Sequence, residues 1–159
     1  MKTQILLAVG AAILAGAAFA KEGDEAAVKK AIAGSSAAWL ACNLDAAAKF
    51  NAEGRGGYYP DSKEFQLETP ENMQKEKEFC KNGGKNELTY AVKGVMLMGD
   101  TAVAHGSGHY KRTEPGGAVS IDGDYTFTDI LVRTGDGWKF KHSHIGAVMP
   151  MPEAEKPAQ

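Results

Sequence analysis

The chain has 159 residues, 43% of them hydrophobic and 24% charged, with a formal net charge of −2. That length suits one domain of ordinary size. The lysines are scattered, and no basic stripe of the kind nucleic-acid binding requires is present, so nucleic acid is excluded as a partner.

Residues 1–20 read as a secretory signal peptide. Lys2 is the short positive region, Ile5 to Ala17 is an apolar run broken by Gly10 and Gly16, and Ala18-Phe19-Ala20 is a small-x-small cleavage site. The run is short for a membrane span, which needs about 20 residues. Cleavage after Ala20 predicts a periplasmic or secreted product with no membrane contact. No Cys follows the cleavage site, so no lipid anchor is expected.

Helices come next. Asp24 is placed to cap a helix, with Glu25 near its positive end. Val28, Ile32, Ser35, Trp39 and Cys42 recur at four and three residues, which is one helical stripe. Asn43 stops this helix or caps a second one, predicted from Leu44 to about Ala52 and ended by Gly54, Gly56 and Gly57. Tyr58-Tyr59-Pro60-Asp61 reads as a short strand running into a turn, since Pro60 holds its predecessor extended. A third helix starts clearly, with Thr69 as cap, Pro70 at the first position and Glu71 in the first turn; Gly83-Gly84 stops it.

From there the pattern is strand and turn. Leu88, Tyr90 and Val92 alternate. Gly99-Asp100 turns into Thr101 to Arg112, and Glu114-Pro115-Gly116-Gly117 turns into Val119 to Arg133. A last hairpin folds about Thr134-Gly135-Asp136-Gly137. If that turn pairs Arg133 with Trp138, the strand period of two sets Leu131 opposite Phe140, Asp129 opposite His142 and Phe127 opposite His144. One hairpin face is then large and aromatic, with an Asp and two His set into it. The tail from Met149 to Gln159 is rich in Pro, Glu, Lys and Ala, and is expected to be disordered. The fold class is therefore α+β: three N-terminal helices packed on a curved antiparallel sheet of about four strands, spanning residues 21–148.

Two cysteines, Cys42 and Cys80, lie in a chain bound for an oxidising compartment. An even count there favours a disulfide, with buried free thiols as the alternative.

Three motifs carry a family resemblance. They are Trp39 with Asn43-Leu44-Asp45, the run Gly99-Asp100-Thr101-Ala102-Val103-Ala104, and Thr128-Asp129-Ile130-Leu131-Val132-Arg133 followed by Gly137-Trp138-Lys139-Phe140-Lys141-His142-Ser143-His144. In this order they resemble the nuclear transport factor 2-like, or cystatin-like cone, superfamily. The nearest likeness is to its SnoaL-like and ketosteroid-isomerase-like branch. The His-x-His ending resembles the association domain of calcium/calmodulin-dependent kinase II. The resemblance implies a cone-shaped sheet closed by helices around a hydrophobic cavity, often in a dimer or larger ring. It does not imply one activity.

Laid on the ketosteroid-isomerase-like pattern, Asp129 matches the late aspartate. Tyr59 stands where the carboxylate base should be, before Pro60, and Ser35 stands where the tyrosine should be. A tyrosine with a pKa of about 10 is a poor base at neutral pH. Asp129 and His142 remain the catalytic candidates, as an acid/base pair or as a satisfied pair lining the cavity. The expected pocket is lined by Trp39, Tyr59, Tyr125, Phe127, Asp129, Leu131, Phe140, His142 and His144. His142 and His144 have a strand ligand spacing, but His105 and His109 lie two strands away at nearly 10 Å of backbone separation. No metal and no cofactor are therefore expected.

Three readings compete. The first is an exported protein holding a small apolar ligand in its cone. The second is an isomerase, cyclase or hydrolase on the same fold using Asp129 and His142. The third is an assembly module dimerising through the outward positions Thr126, Thr128, Ile130 and Val132. The first and third are compatible.

Overall fold

The computed structural model describes residues 12–60 and 62–149, and of residues 12–22 the backbone alone. The first half of the expected leader, Asp61 and the tail from residue 150 lie outside the described residues. Three helices, α1 (Ala12–Leu40), α2 (Leu44–Ala48) and α3 (Pro70–Lys81), accompany six strands. The strands are β1 (Asn51–Tyr58), β2 (Gln66–Leu67), β3 (Lys85–Met98), β4 (Thr101–Thr113), β5 (Val119–Thr134) and β6 (Gly137–Ala147). They form one sheet in the order β2-β1-β6-β5-β4-β3. The α+β class stands, but the sheet is mixed: β1 runs parallel to β6, and every other pair is antiparallel.

The core forms where α1 crosses the sheet. Val28, Ala31 and Ile32 meet Ala102 and Ala104 of β4, Leu131 of β5, and Trp138 and Phe140 of β6. The two alanines keep the β4 surface low, so the helix approaches closely. Asp24 does not cap α1, because the helix is already running there. Instead its carboxylate accepts from the Arg133 guanidinium, which lies over the Trp138 ring at 4.5 Å.

α2 is a single turn, not a helix to Ala52. Asn43 caps it, its Oδ1 accepting from Ala46 N at 3.2 Å. The residues after it are drawn into the sheet: Phe140 N donates to the Phe50 carbonyl at 2.8 Å, and Asn51 pairs with Phe140. Tertiary pairing here overrides a local helical pattern. Gly54, at φ 64, bends β1 within its strand instead of ending a helix. α3 begins with Thr69 Oγ1 accepting from Asn72 N at 3.2 Å. The Cys42 and Cys80 sulfurs are bonded, with Cα atoms 6.0 Å apart, joining the end of α1 to the end of α3.

The last hairpin departs from simple alternation. Arg133 pairs with Trp138 and Leu131 with Phe140, but the ladder then slips. Ile130 pairs with His142, Asp129 with Ser143 and Phe127 with Ile145. Lys141 is the extra residue of a β-bulge, exposed, with its Nζ donating to the Glu53 carbonyl at 2.6 Å. One inserted residue turns everything beyond it to the opposite face. The expected pairings of Asp129 with His142 and of Phe127 with His144 are thereby corrected.

Leu131 is fully buried beneath α1 in the core and does not line a pocket. Leu131→Ala should therefore cost about 3 kcal/mol in urea unfolding, in the range for a buried leucine truncation. Ligand affinity of the folded protein should change little.

Candidate functional site

Between the helices and the concave side of the sheet lies a cavity of about 980 Å³. Such a volume suits a small-molecule site. Ile32, Ser35, Trp39, Leu44 and Ala47 form its helical wall, and Tyr90, Tyr110, Tyr125, Phe127 and Phe140 its sheet wall. Tyr125 and Phe127 lie over Gly108 and Gly106. A Cβ at Gly106 would sit 2.7 Å from the Phe127 ring, and one at Gly108 2.7 Å from the Tyr125 hydroxyl. The glycines let the rings lie down on the sheet, and so leave the cavity open above them.

Of the residues expected in the pocket, Trp39, Tyr59, Tyr125, Phe127, Asp129 and Phe140 line it. His142 and His144 do not. The bulge at Lys141 turns them to the convex face, where they join Tyr58 and Phe65. His142 stacks on Phe65 with ring centroids 5.9 Å apart, and His144 lies 6.0 Å from Tyr58. The Asp129–His142 acid/base pair is thus ruled out, since the two side chains leave the sheet on opposite sides. His109 also points away from the cavity. Its ring is held between Asp124 at 2.9 Å and Asp122 at 2.8 Å, and these carboxylates raise its pKa.

Asp129 faces the cavity from the middle of β5 at 7% exposure. Its cross-strand neighbours are Ala104 and Ser143, both small. Burial pushes its carboxyl up to about 6, while the Ser143 hydroxyl and the Arg55 guanidinium act the other way. Its charge, after burial itself, helps hold the Tyr125 phenol up at about 12. Burial also raises Tyr59, against the pull of Arg55. Both phenols are therefore neutral donors at physiological pH.

The sequence reading missed Arg55. It projects from β1 across Phe140, its guanidinium carbon 4.8 Å from the ring centroid. It ion-pairs with Glu68 at 3.1 Å, donates to Asn51 Oδ1, and reaches Ser143 Oγ at 3.5 Å. Its Nε is buried without a partner. A lone arginine in the run Gly54-Arg55-Gly56-Gly57 is the available signal, obscured because glycines after an alanine-rich helix have the pattern of a helix stop. Asp129, Ser143, Arg55 and Tyr59 together make one polar end of the cavity, beside its aromatic rings.

A second ionic group stands farther along β4. Arg112 Nη1 donates to Glu76 at 2.9 Å and its Nε to Glu114 at 3.2 Å, over the Phe79 ring at 3.5 Å. Tyr110 donates to Asn86 Oδ1 at 2.8 Å beside it. This group ties α3 to the sheet.

No protein-family model matches the chain, and no curated protein is similar to it. Solved structures of the same architecture are numerous. A ketosteroid isomerase-like protein from Erwinia carotovora atroseptica aligns at a TM-score of 0.65 and 14% identity, covering 80% of this chain and 98% of that one. A protein with a cystatin-like fold from Caulobacter vibrioides aligns at 0.60 and 18%, covering 78% and 89%. An NTF-2 like protein of unknown function from Shewanella oneidensis aligns at 0.58 and 20%, covering 75% and 95%. The chain has the nuclear transport factor 2-like, cystatin-like fold. Identities this low speak to fold and not to activity.

Asp129 carries a pH signature. Its folded pKa is raised from 3.8 to about 6, so its contribution to stability is complete below 3.8 and lost as pH rises through 6. The loss amounts to about 3 kcal/mol at pH 8. Asp129→Asn should therefore be more stable than the parent at pH 8, with the pH dependence between 4 and 7 flattened in urea titrations. An unchanged profile would show that the carboxyl is not the source.

Proposed function

We propose that the chain is a small-molecule binding protein. Its cavity takes a compact, largely apolar ligand whose one hydrogen-bonding group is held at the Asp129–Ser143–Arg55–Tyr59 end. The observation that carries this reading is the cavity of about 980 Å³, walled by aromatic rings, with open polar groups at that end and the Arg112 group already paired with Glu76 and Glu114. Burying about 200 Å² of apolar ligand surface contributes about 5 kcal/mol, enough to offset much of the loss of ligand freedom. The polar end supplies orientation. Neutral Tyr59 and, below about pH 6, protonated Asp129 donate to a ligand oxygen.

A neutral fluorescent naphthyl ketone tests the reading. Saturable binding should shift its emission to the blue and quench Trp39, and Phe127→Ala should weaken it about tenfold. No saturable binding by this probe or by a panel of apolar ketones and alcohols overturns the reading.

A second reading, proton transfer by Asp129, is favoured by a carboxyl near 6, close to the operating range of a general acid or base. It no longer includes His142. Conversion of panel compounds to isomeric or dehydrated products, lost in Asp129→Asn, would support it.

Homodimer formation belongs to the same proposal. On the convex face of β5, Thr126 and Thr128 are exposed and Ile130 and Val132 half-buried. Tyr58 and Phe65 extend this face at 41% and 45% exposure. Sedimentation should give a dimer, and Ile130→Glu should give a monomer; a monomeric parent at micromolar concentration counts against it. Export with cleavage after Ala20 completes the proposal.

A further inference from the structure

Helix α3 is a wall of the cavity, contributing Asn72, Met73 and Glu76. Met73 also lines a second recess of about 310 Å³ between α2, β1 and the start of α3. Yet α3 lies beside the sheet, not within it, and is held by side chains. Near its start Asn72 Nδ2 donates to the Leu67 carbonyl at 3.1 Å. In its middle Glu76 takes Arg112 at 2.9 Å, and Phe79 is buried under the same guanidinium. Toward the α1–α2 corner its ties among the described residues are the exposed Lys77–Asp45 pair at 2.7 Å and the Cys42–Cys80 bond.

That bond has two unusual circumstances. Cys42 is exposed and Cys80 half-buried, so a thiol in solution can reach it. Cys42 also sits at φ 55, in the left-handed region. It closes α1 in the manner of a Schellman motif, with Asn43 N donating to the Ala38 carbonyl and Cys42 N to that of Trp39, each at 2.9 Å. Glycine is the residue that suits this position, since an L side chain is disfavoured there. The corner is therefore held in a conformation its own residue resists. One turn back in α1 stands Trp39, on the cavity wall.

We propose that the Cys42–Cys80 bond is a redox latch on the cavity: its reduction frees the Trp39 corner and α3 from each other and loosens both walls at once. The reductant is a dithiol. One of its thiolates attacks a sulfur of the bond and expels the other cysteine as a thiolate, leaving a mixed disulfide. Its second thiol then displaces the remaining cysteine. Cys42 and Cys80 end as two thiols, having gained two electrons and two protons, and the dithiol ends as its disulfide. Glu76–Arg112 and the buried Phe79 keep α3 tethered, so the reduced protein stays folded with an easier exit for the ligand. The ligand rests on the proposed function above; the loosening of α3 does not.

Amide hydrogen exchange on the full chain, oxidised and after dithiothreitol with two thiols counted, tests this. Exchange across residues 70–81 should rise about tenfold on reduction while β5 and β6 stay protected. The naphthyl ketone should dissociate about tenfold faster. Cys42→Ser should behave as the reduced protein without reductant. So should Cys42→Gly, which relaxes the corner and guards against a folding failure of the serine variant. Unchanged exchange in α3, loss of protection in β5 and β6 together with α3, or release of bound probe unaffected by reduction would each overturn the latch. A probe that never binds the oxidised protein overturns the binding reading instead, and the exchange of α3 still decides whether the bond latches it.

Discussion

One extra residue in β6 governs what this fold can do. Lys141 bulges out of the ladder, anchored by its ammonium on the Glu53 carbonyl, and the strand beyond it presents its other face. Without the bulge, His142 and His144 would enter the cavity beside Asp129. With it, Ser143 enters, and the histidines join Tyr58 and Phe65 on the convex face. The bulge lies beside a second irregularity in β1, where the parallel register slips between Asn51 and Gly56 around Gly54. The two distortions are neighbours across the ladder, and between them Arg55 is aimed over Phe140 toward Ser143. The polar end of the cavity therefore depends on a pair of matched bulges.

The consequence for Asp129 is electrostatic. A histidine opposite it would have stabilised the carboxylate and held its pKa down. A serine offers one hydroxyl, and burial wins: the carboxyl rises to about 6. Below about pH 6 the carboxyl is neutral and can donate a hydrogen bond, which a carboxylate cannot. The energetic cost of ionising it at neutral pH is a reason to regard the position as held for function, since asparagine would fill the same space without that penalty.

Much of this was legible in the sequence. The cap at Thr69 with Pro70 predicts the start of α3, and the alternation from Tyr125 to Val132 predicts the inward and outward faces of β5. What failed did so for physical reasons. Periodicity cannot reveal a bulge, because Phe140-Lys141-His142 alternates in type as well as any straight strand. Nor can it reveal that Asn51 to Tyr58 pairs with a strand some ninety residues later, so the local pattern gives a helix end, a glycine stop and only a short strand from Tyr58. The helical start assigned to Asp24 failed because α1 is already running from Ala12, and the Asp24 carboxylate pairs with Arg133 instead. In β1 and at the bulge, local pattern met a long-range interaction, and the long-range interaction prevailed.

The two arginines of the cavity make the same point about function. Arg112 has acceptors on several sides, in Glu76, Glu114 and Asn86, and a ring beneath it. It is a satisfied clasp, and a satisfied buried ion pair is weak evidence for anything beyond architecture. Arg55 is different. Glu68 and Asn51 occupy one nitrogen, Ser143 is at the limit of reach from another, and Nε is buried with no acceptor. Trp138 Nε1 is unpartnered too, but it lies in the core under α1, away from the cavity. A buried donor left open costs free energy that folding alone gives no reason to spend. Beside two neutral phenols and a carboxyl that is protonated below about pH 6, that open donor makes the β1–β6 end of the cavity the place where a ligand oxygen would lower the energy of the whole assembly.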